Sequence, residues 1–351
     1  MGIKKFQPKI SITPQILKLI TEIDEFKGQW TTLKQLSPTQ LQSLKTVATI
    51  ESIGSSTRIE GAKLTDQEIE KLLKGLEIKS FRTRDEEEVR GYAEVIHTII
   101  ESYEHIPLTE SYLKQLHGIL LKFSSKDVRH RGEYKKFPNH VEAFDQNGKS
   151  IGVIFKTVSP FETPQRMQEL FEWINRSFEE KLLHPLLVIA VFIVNFLAIH
   201  PFQDGNGRIS RILTSLLLLK HGYHYVPFSS LEHIIEENKE NYYLALHNSQ
   251  KELGNENENL ESWLLFFINS LKAQKDVLLK KIEQEKIFLK TPLLSQQILT
   301  LVKEHGRITN AAIQNFTNAN RNTIKVHLQK LVSDGILIQH GKGKGSWYSL
   351  A

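Results

Sequence analysis

Two apolar stretches separated by a polar, glycine-rich turn dictate the centre of this chain. The first runs from Leu182 to Ile199 and is interrupted only by His184, Pro185 and Asn195. A membrane span needs about 18 or more uninterrupted apolar residues. The run therefore predicts a buried core helix over Pro185–Ile199. The second stretch, Ile212 to Leu219, is rich in leucine and predicts a helix over Arg208–His221. Between them lies His200-Pro-Phe-Gln-Asp-Gly-Asn-Gly-Arg-Ile-Ser-Arg211.

That turn has the makings of an anion site. Gly205, Asn206 and Gly207 can take positive φ, so the chain can reverse tightly and aim its N–H groups at one point. The following helix begins there, and its positive end faces the same point. Arg208 and Arg211 stand three residues apart and share a helix face. Two guanidinium forks over a helix N-terminus suit a ligand with several anionic oxygens, such as a polyphosphate. Asp204 supplies a hard oxygen where a Mg²⁺ ion could bridge phosphates. His200, with an ordinary pKa of about 6.5, can accept a proton from a hydroxyl near neutral pH.

The segment resembles the signature of the Fic-domain family and matches it at every fixed position. A chance match in a chain of this length is on the order of one in tens of millions. The resemblance implies a mainly α fold: a helical Fic core with a small β-hairpin flap. It also implies transfer of AMP from ATP to a hydroxyl side chain of a target protein, with release of pyrophosphate. By the resemblance His200 is the base and Asp204 holds Mg²⁺ on the α- and β-phosphates. Gly205, Asn206 and Gly207 form the anion hole, Ile209 and Ser210 continue the nucleotide-binding turn, and Arg208 and Arg211 hold the outer phosphates. The flap would pair with the target as a strand, reading backbone rather than side chains. Asn241-Tyr-Tyr-Leu-Ala-Leu246 resembles the family segment whose tyrosine packs near adenine. Tyr242 and Tyr243 point to different sides of a helix, and Tyr243 is slightly favoured.

Upstream, Ser56-Thr-Arg-Ile-Glu60-Gly61 fits the family's inhibitory pattern. Alone it would occur by chance about one time in three. Its place before the core is that of the class with an N-terminal inhibitory helix. Gly61 suits a helix C-terminus, which puts Glu60 at the tip of a helix over about 44–60, with Ser56 one turn earlier. By the resemblance Glu60 pairs with Arg211 and denies it to the γ-phosphate.

Elsewhere the body reads as helices. Thr65-Asp-Gln-Glu68 is a capping box opening a helix over 65–76, with Leu64 and Ile69 as its staple. Further helices are predicted over Arg84–Tyr103, from Pro107-Leu-Thr109 through about Lys122, and over Pro164–Glu179, Glu237–Gln250 and Leu260–Lys286. Asp85, Glu86, Glu87 and Glu88 open the Arg84 helix with acidic charge, which suits its positive end. Residues 127–160 instead hold glycines, prolines and an Asn147-Gly148 turn signal, predicting the hairpin. His97, His117 and His221 are read as packed or solvated, and His140 falls in the flap without an assigned role.

Charge marks off the C-terminus. The 351 residues carry 45 Lys and Arg against 40 Asp and Glu. All of that +5 excess falls in 291–351, where Lys303, Arg307, Arg321, Lys325, Lys330, Lys342 and Lys344 face only Glu304 and Asp334. Three helices are predicted there, over Ser295–His305, Asn310–Phe316 and Arg321–Asp334. Strands at Ile336–Gln339 and Ser346–Leu350 follow, around Gly-Lys-Gly-Lys-Gly at 341–345. This is the plan of a winged helix-turn-helix, with Arg321, Asn322, Lys325 and Gln329 on the third helix as groove readers. The domain reading is 1–80 for the N-terminal helical region with the inhibitory helix, 81–288 for the Fic core and 289–351 for the winged helix.

The absence of cysteine excludes disulfides, thiolate metal sites and a cysteine nucleophile. Met1-Gly-Ile-Lys-Lys-Phe lacks the apolar run of a signal peptide, so the expected location is the cytoplasm. Expected partners are a target protein with a Ser, Thr or Tyr hydroxyl, the chain itself, DNA through 289–351 and a second copy in a homodimer, with no membrane. Two other readings share the motif: a nucleotide-sensing, DNA-binding transcription regulator, and an enzyme that removes AMP from modified proteins.

Overall fold

The computed structural model describes residues 6, 8–33, 37–75, 83–144, 150–251, 253 and 259–351. The chain divides into two compact units, Met1–Leu278 and Leu279–Ala351.

The first unit is built from α1 (Pro14–Leu33), α2 (Pro38–Ile59), α3 (Asp66–Lys74), α4 (Arg84–Ser102), α5 (Glu110–Leu120), a hairpin of β1 (His140–Phe144) and β2 (Ser150–Lys156), α6 (Thr163–Glu180), α7 (Pro185–Ile199), α8 (Asn206–Lys220), α9 (Leu231–Glu237), α10 (Lys239–Gln250) and α11 (Glu261–Lys290). The division between units falls inside α11, upstream of the boundary read from the sequence.

Every residue of α7 from Leu186 to Ile199 is buried, because the helix is apolar on all sides and has helices packed around it. Its neighbours include α6, α8 and α10. On α8, Ile209, Ile212, Leu213, Leu216 and Leu217 join the same core. The inhibitory-pattern helix α2 packs against α9, α4 and α8. Helix α1, which the sequence reading did not assign, buries Ile16, Ile20, Ile23, Phe26 and Trp30 at helical spacing. Its Phe26 meets Tyr225 edge-on at 5.0 Å.

Local signals set the helix ends. Thr65 and Thr83 each close a capping box, with Glu68 and Glu86 respectively. The predicted Glu237–Gln250 helix is α10, which starts two residues later at Lys239, and the helix before it, α9, has no counterpart among the predicted ones. Ser230 caps α9 by accepting from the His233 N–H at 3.0 Å, and Asn238 then breaks the chain before α10. The strands of the predicted flap pair antiparallel, His140 opposite Lys156. The Asn147-Gly148 turn lies outside the described residues. None of the described helices is long and apolar enough to cross a membrane.

The second unit has α12 (Leu293–His305), β3 (Ile308–Thr309), α13 (Asn310–Thr317), α14 (Arg321–Ser333), β4 (Leu337–His340) and β5 (Trp347–Leu350). Its sheet runs β3-β5-β4, so a short strand missed in the sequence joins the two expected ones. Ile298, Val302, Ile313, Ile324, Leu328 and Leu331 are its core. Arg321, Asn322, Lys325 and Gln329 are exposed on α14, away from the core positions Ile324 and Leu328.

Candidate active site

The site begins where α7 stops. His200 caps that helix in the left-handed region (φ 53, ψ 60), an uncommon conformation outside glycine. Its Nδ1 lies 3.2 Å from the Leu197 carbonyl. A carbonyl only accepts, so Nδ1 carries the proton and the neutral ring leaves Nε2 as an acceptor. Burial, helped by the Lys135 charge, lowers the imidazole to about 4.

The turn that follows fastens itself. Asn206 Oδ1 accepts from the Phe202 N–H at 2.9 Å, and its Nδ2 donates to the Phe202 carbonyl at 2.7 Å. Its side chain is therefore spent on the loop, and what it can offer a ligand is its backbone N–H. Gly205 sits at φ 83. Helix α8 starts at Asn206, two residues before the predicted Arg208, so the N–H groups of Asn206, Gly207 and Arg208 form its unpaired first turn. Ile209 is core, and the Ser210 hydroxyl donates back to the Gly207 carbonyl at 2.7 Å.

Both signature arginines are buried, at 2% and 4% exposure, and both are held by distant elements. Arg208 lies between Glu88 and Asp204, at 3.1 Å from each. Arg84 bridges the same two carboxylates at 2.7 and 3.1 Å. Burial would raise the Asp204 carboxyl, but Arg208 and Arg84 outweigh it and hold it below the usual range.

Arg211 reaches across to α2. Its Nε donates to Ser56 Oγ at 2.8 Å, and its Nη2 donates to the Ser56 carbonyl at 2.9 Å and to Glu60 Oε1 at 2.7 Å. Glu60 is the C-cap of α2, and Gly61 ends the helix at φ 103. A Cβ on Gly207 would collide with the Glu60 carboxylate, so Glu60 rests directly on the glycine turn. Burial again favours the neutral acid, and the Arg211 guanidinium reverses it, keeping Glu60 ionised.

The two tyrosines, expected on different sides of the helix, meet edge-on with ring centroids 5.2 Å apart. Tyr242 is core, 5.7 Å from Phe266, and lines one small cavity with Arg211 and Ser210. Tyr243 stays partly exposed.

Four contributors escaped the sequence reading. Glu88, taken as part of an acidic helix start, turns inward to Arg208; its i, i+4 spacing from Arg84 was the available signal. His117 stacks on Phe202 at 3.8 Å, accepts from the Gly132 N–H and donates to the Asp204 carbonyl, each at 3.0 Å. Lys135 and Asn139 bond the carbonyls of the His200 loop. Nothing in the spacing of His117, Lys135 or Asn139 announced such contacts.

Comparison with known proteins agrees with this architecture. Residues 107–218 match the Fic/DOC family and residues 294–338 match the winged helix-turn-helix DNA-binding family. A probable protein adenylyltransferase of Aquifex aeolicus (strain VF5) is 31% identical over 90 residues, which are 26% of this chain and 27% of that protein. The chain thus spans about a quarter of that relative's length. The crystal structure of a Fic family protein from Desulfovibrio desulfuricans G20 shares the fold, with a TM-score of 0.62 at 22% identity over 99% of this chain and 98% of that one. A Fic domain containing signaling protein from Bacteroides thetaiotaomicron VPI-5482 gives 0.61 at 28% identity over 75% and 97%.

Proposed function

We propose that this chain, a Fic domain with a C-terminal winged helix, is a protein adenylyltransferase restrained by its own Glu60. The observation that carries the reading is the 2.7 Å ion pair between Glu60 and Arg211, seated on the glycine turn of a complete signature.

In the reaction, His200 Nε2 takes the proton of the target hydroxyl. The hydroxyl oxygen bonds to the α-phosphorus of ATP, the bond from that phosphorus to the pyrophosphate oxygen breaks, and pyrophosphate leaves. The first-turn N–H groups of α8 stabilise the charge that develops on the phosphate oxygens. Two buried donors, Arg208 Nε and Arg211 Nη1, hydrogen-bond to nothing among the described residues and suit the outer phosphates. Asp204 is ionised and its side chain is 34% exposed, which fits a hard cation that takes its other ligands from phosphates. Bound there, Mg²⁺ would neutralise phosphate charge. Tyr243, the more open tyrosine, is the adenine neighbour, and the β1–β2 hairpin receives the target strand.

Glu60 restrains the enzyme by occupying the guanidinium that the γ-phosphate needs. ATP then sits shifted, and a misalignment of about 1 Å costs on the order of 10²-fold in rate. The winged helix adds a DNA contact through Arg321, Lys325 and the glycine-lysine turn.

The test is incubation with α-labelled ATP and Mg²⁺. Glu60→Gly should raise label on the protein about 10²-fold over the parent. Equal labelling across ATP concentrations refutes the restraint, and no label in either protein, alone or with candidate targets, refutes the transfer. If Glu60→Gly only abolishes AMP removal from a modified target, the reverse reaction takes precedence.

A further inference from the structure

Lys135 is 3% exposed, and its three hydrogen bonds all go to neutral oxygens among the described residues. They are Asn139 Oδ1 at 2.8 Å, Thr157 Oγ1 at 2.9 Å and the Ile199 carbonyl at 2.9 Å. A buried cation without a counter-ion is costly, even with all three protons satisfied. A structural helix end does not require one.

The three acceptors come from separate elements. Asn139 immediately precedes β1, Thr157 immediately follows β2, and Ile199 ends α7 one residue before His200. Thr157 Oγ1 also donates to the Asn139 carbonyl at 2.6 Å, closing the base of the hairpin. Asn139 Nδ2 reaches the His200 carbonyl at 3.3 Å and the Phe202 carbonyl at 2.8 Å. The Lys135 backbone N–H takes the Pro201 carbonyl at 2.8 Å. Each of four consecutive carbonyls, 199 to 202, thus accepts a hydrogen bond from Lys135 or Asn139, and that of Phe202 accepts from Asn206 as well.

We infer that Lys135 and Asn139 are positioning residues that clamp both ends of the hairpin to the backbone carrying His200. The inference rests on the adenylyltransferase reading, since it assigns the hairpin to the target and His200 to the proton. Strand pairing sets a target's register only relative to the hairpin. The clamp converts that register into a fixed distance from the imidazole. The ammonium has a second effect. It opposes protonation of His200, while Glu60 and Asp204 favour it.

The experiment uses the full chain with Glu60→Gly as parent. Lys135→Met removes the charge and keeps the stem, and Asn139→Ala removes the amide alone. Self-labelling in single turnover at saturating ATP should slow 10- to 100-fold in both, the cost expected of about 1 Å of misplacement. Affinity for a fluorescent ATP analogue should stay within twofold, because the proposed phosphate ligands are Arg208, Arg211 and the first turn of α8, not these two residues. Titration of His200 by histidine-labelled NMR, assigned with His200→Ala, should move upward in Lys135→Met and stay put in Asn139→Ala. Parent-like rates in both variants overturn the inference. So does a loss of rate matched by an equal loss of nucleotide affinity, which marks general unfolding. If Lys135→Met fails to fold, the rate and affinity of Asn139→Ala decide. If the parent itself transfers no AMP, the adenylyltransferase reading fails on its own; an unmoved His200 titration in Lys135→Met then overturns the clamp as well, and an upward shift sustains it.

Discussion

The two units handle positive charge in opposite ways. In the body, Arg208 and Arg211 are buried, and each is gripped by carboxylates from other elements. In the C-terminal unit, Arg321, Lys325, Lys330 and Lys342 are exposed. A buried guanidinium acts at one fixed point, in a low dielectric, and only after its resident partner yields. An exposed one acts through a field that salt erodes. The first arrangement suits chemistry with a switch, and the second suits adhesion to a polyanion. The difference can be broken by experiment, because each unit should respond to a perturbation that leaves the other unmoved.

The largest effect should come from the base. In the Glu60→Gly background, His200→Ala should slow AMP transfer by about 10²–10⁴-fold, while nucleotide affinity and any DNA affinity stay at parent values. An unchanged transfer rate would remove His200 from the chemistry. A simultaneous loss of DNA affinity would mean that the units do not act separately.

How much of this contrast was legible beforehand depended on sequence distance. The signature is contiguous over 200–211, so the turn joining α7 and α8 could be read directly. The inhibitory pattern was short enough to see because Gly61 and Glu60 sit side by side at a helix end. The excess of cations after residue 290 was a matter of counting. The supporting contacts were not visible. Glu88 meets Arg208, His117 meets Asp204 and Lys135 meets Ile199 across intervals that only tertiary packing closes. Each of those side chains, read locally, is an ordinary solvated charge or a packed histidine. Helix α9 went unassigned because it is only seven residues long. Its two ends are set by Ser230 and Asn238, and Asn238 also opens α10.

Salt should separate the units next. If Arg321, Lys325, Lys330 and Lys342 each neutralise one phosphate, duplex DNA affinity should fall on the order of 10²-fold between 50 and 200 mM salt. Lys342→Ala with Lys344→Ala should flatten that slope and weaken binding to every sequence alike. The same salt change should barely touch the restraint by Glu60, because buried pairs are screened much less. Fluorescence anisotropy on a short duplex reads the first, and basal self-labelling reads the second. No binding at low salt would make the basic unit a protein-docking module. Basal labelling that climbs steeply with salt would mean that the Glu60 pair behaves as a surface charge.

The smallest effect concerns what holds α2 down. The Glu60 contact is a single ion pair at the helix tip, and one residue pattern does not explain why the tip stays put. Arg58, two residues earlier, does. Its Nε and Nη2 form a two-pronged pair with Glu236 of α9 at 2.7 and 3.0 Å, and its Nη1 reaches Asp66 of α3 at 2.8 Å and the Leu64 carbonyl at 3.1 Å. The guanidinium can fold back along the helix because position 54 is glycine; a Cβ there would crowd both Arg58 and Asp66. With a side chain 23% exposed, this network is worth roughly 1 kcal/mol, above a lone surface pair and far below a core contact. Every 1.4 kcal/mol is tenfold in an equilibrium, so Arg58→Ala should raise basal self-labelling about three- to tenfold, well short of Glu60→Gly. Glu236→Gln should give a smaller rise, because Asp66 and Leu64 still hold the guanidinium. Adding Arg58→Ala to Glu60→Gly should change nothing further, since the restraint is already gone. Additive gains in the double variant would show that Arg58 acts on catalysis by some route other than the seating of Glu60.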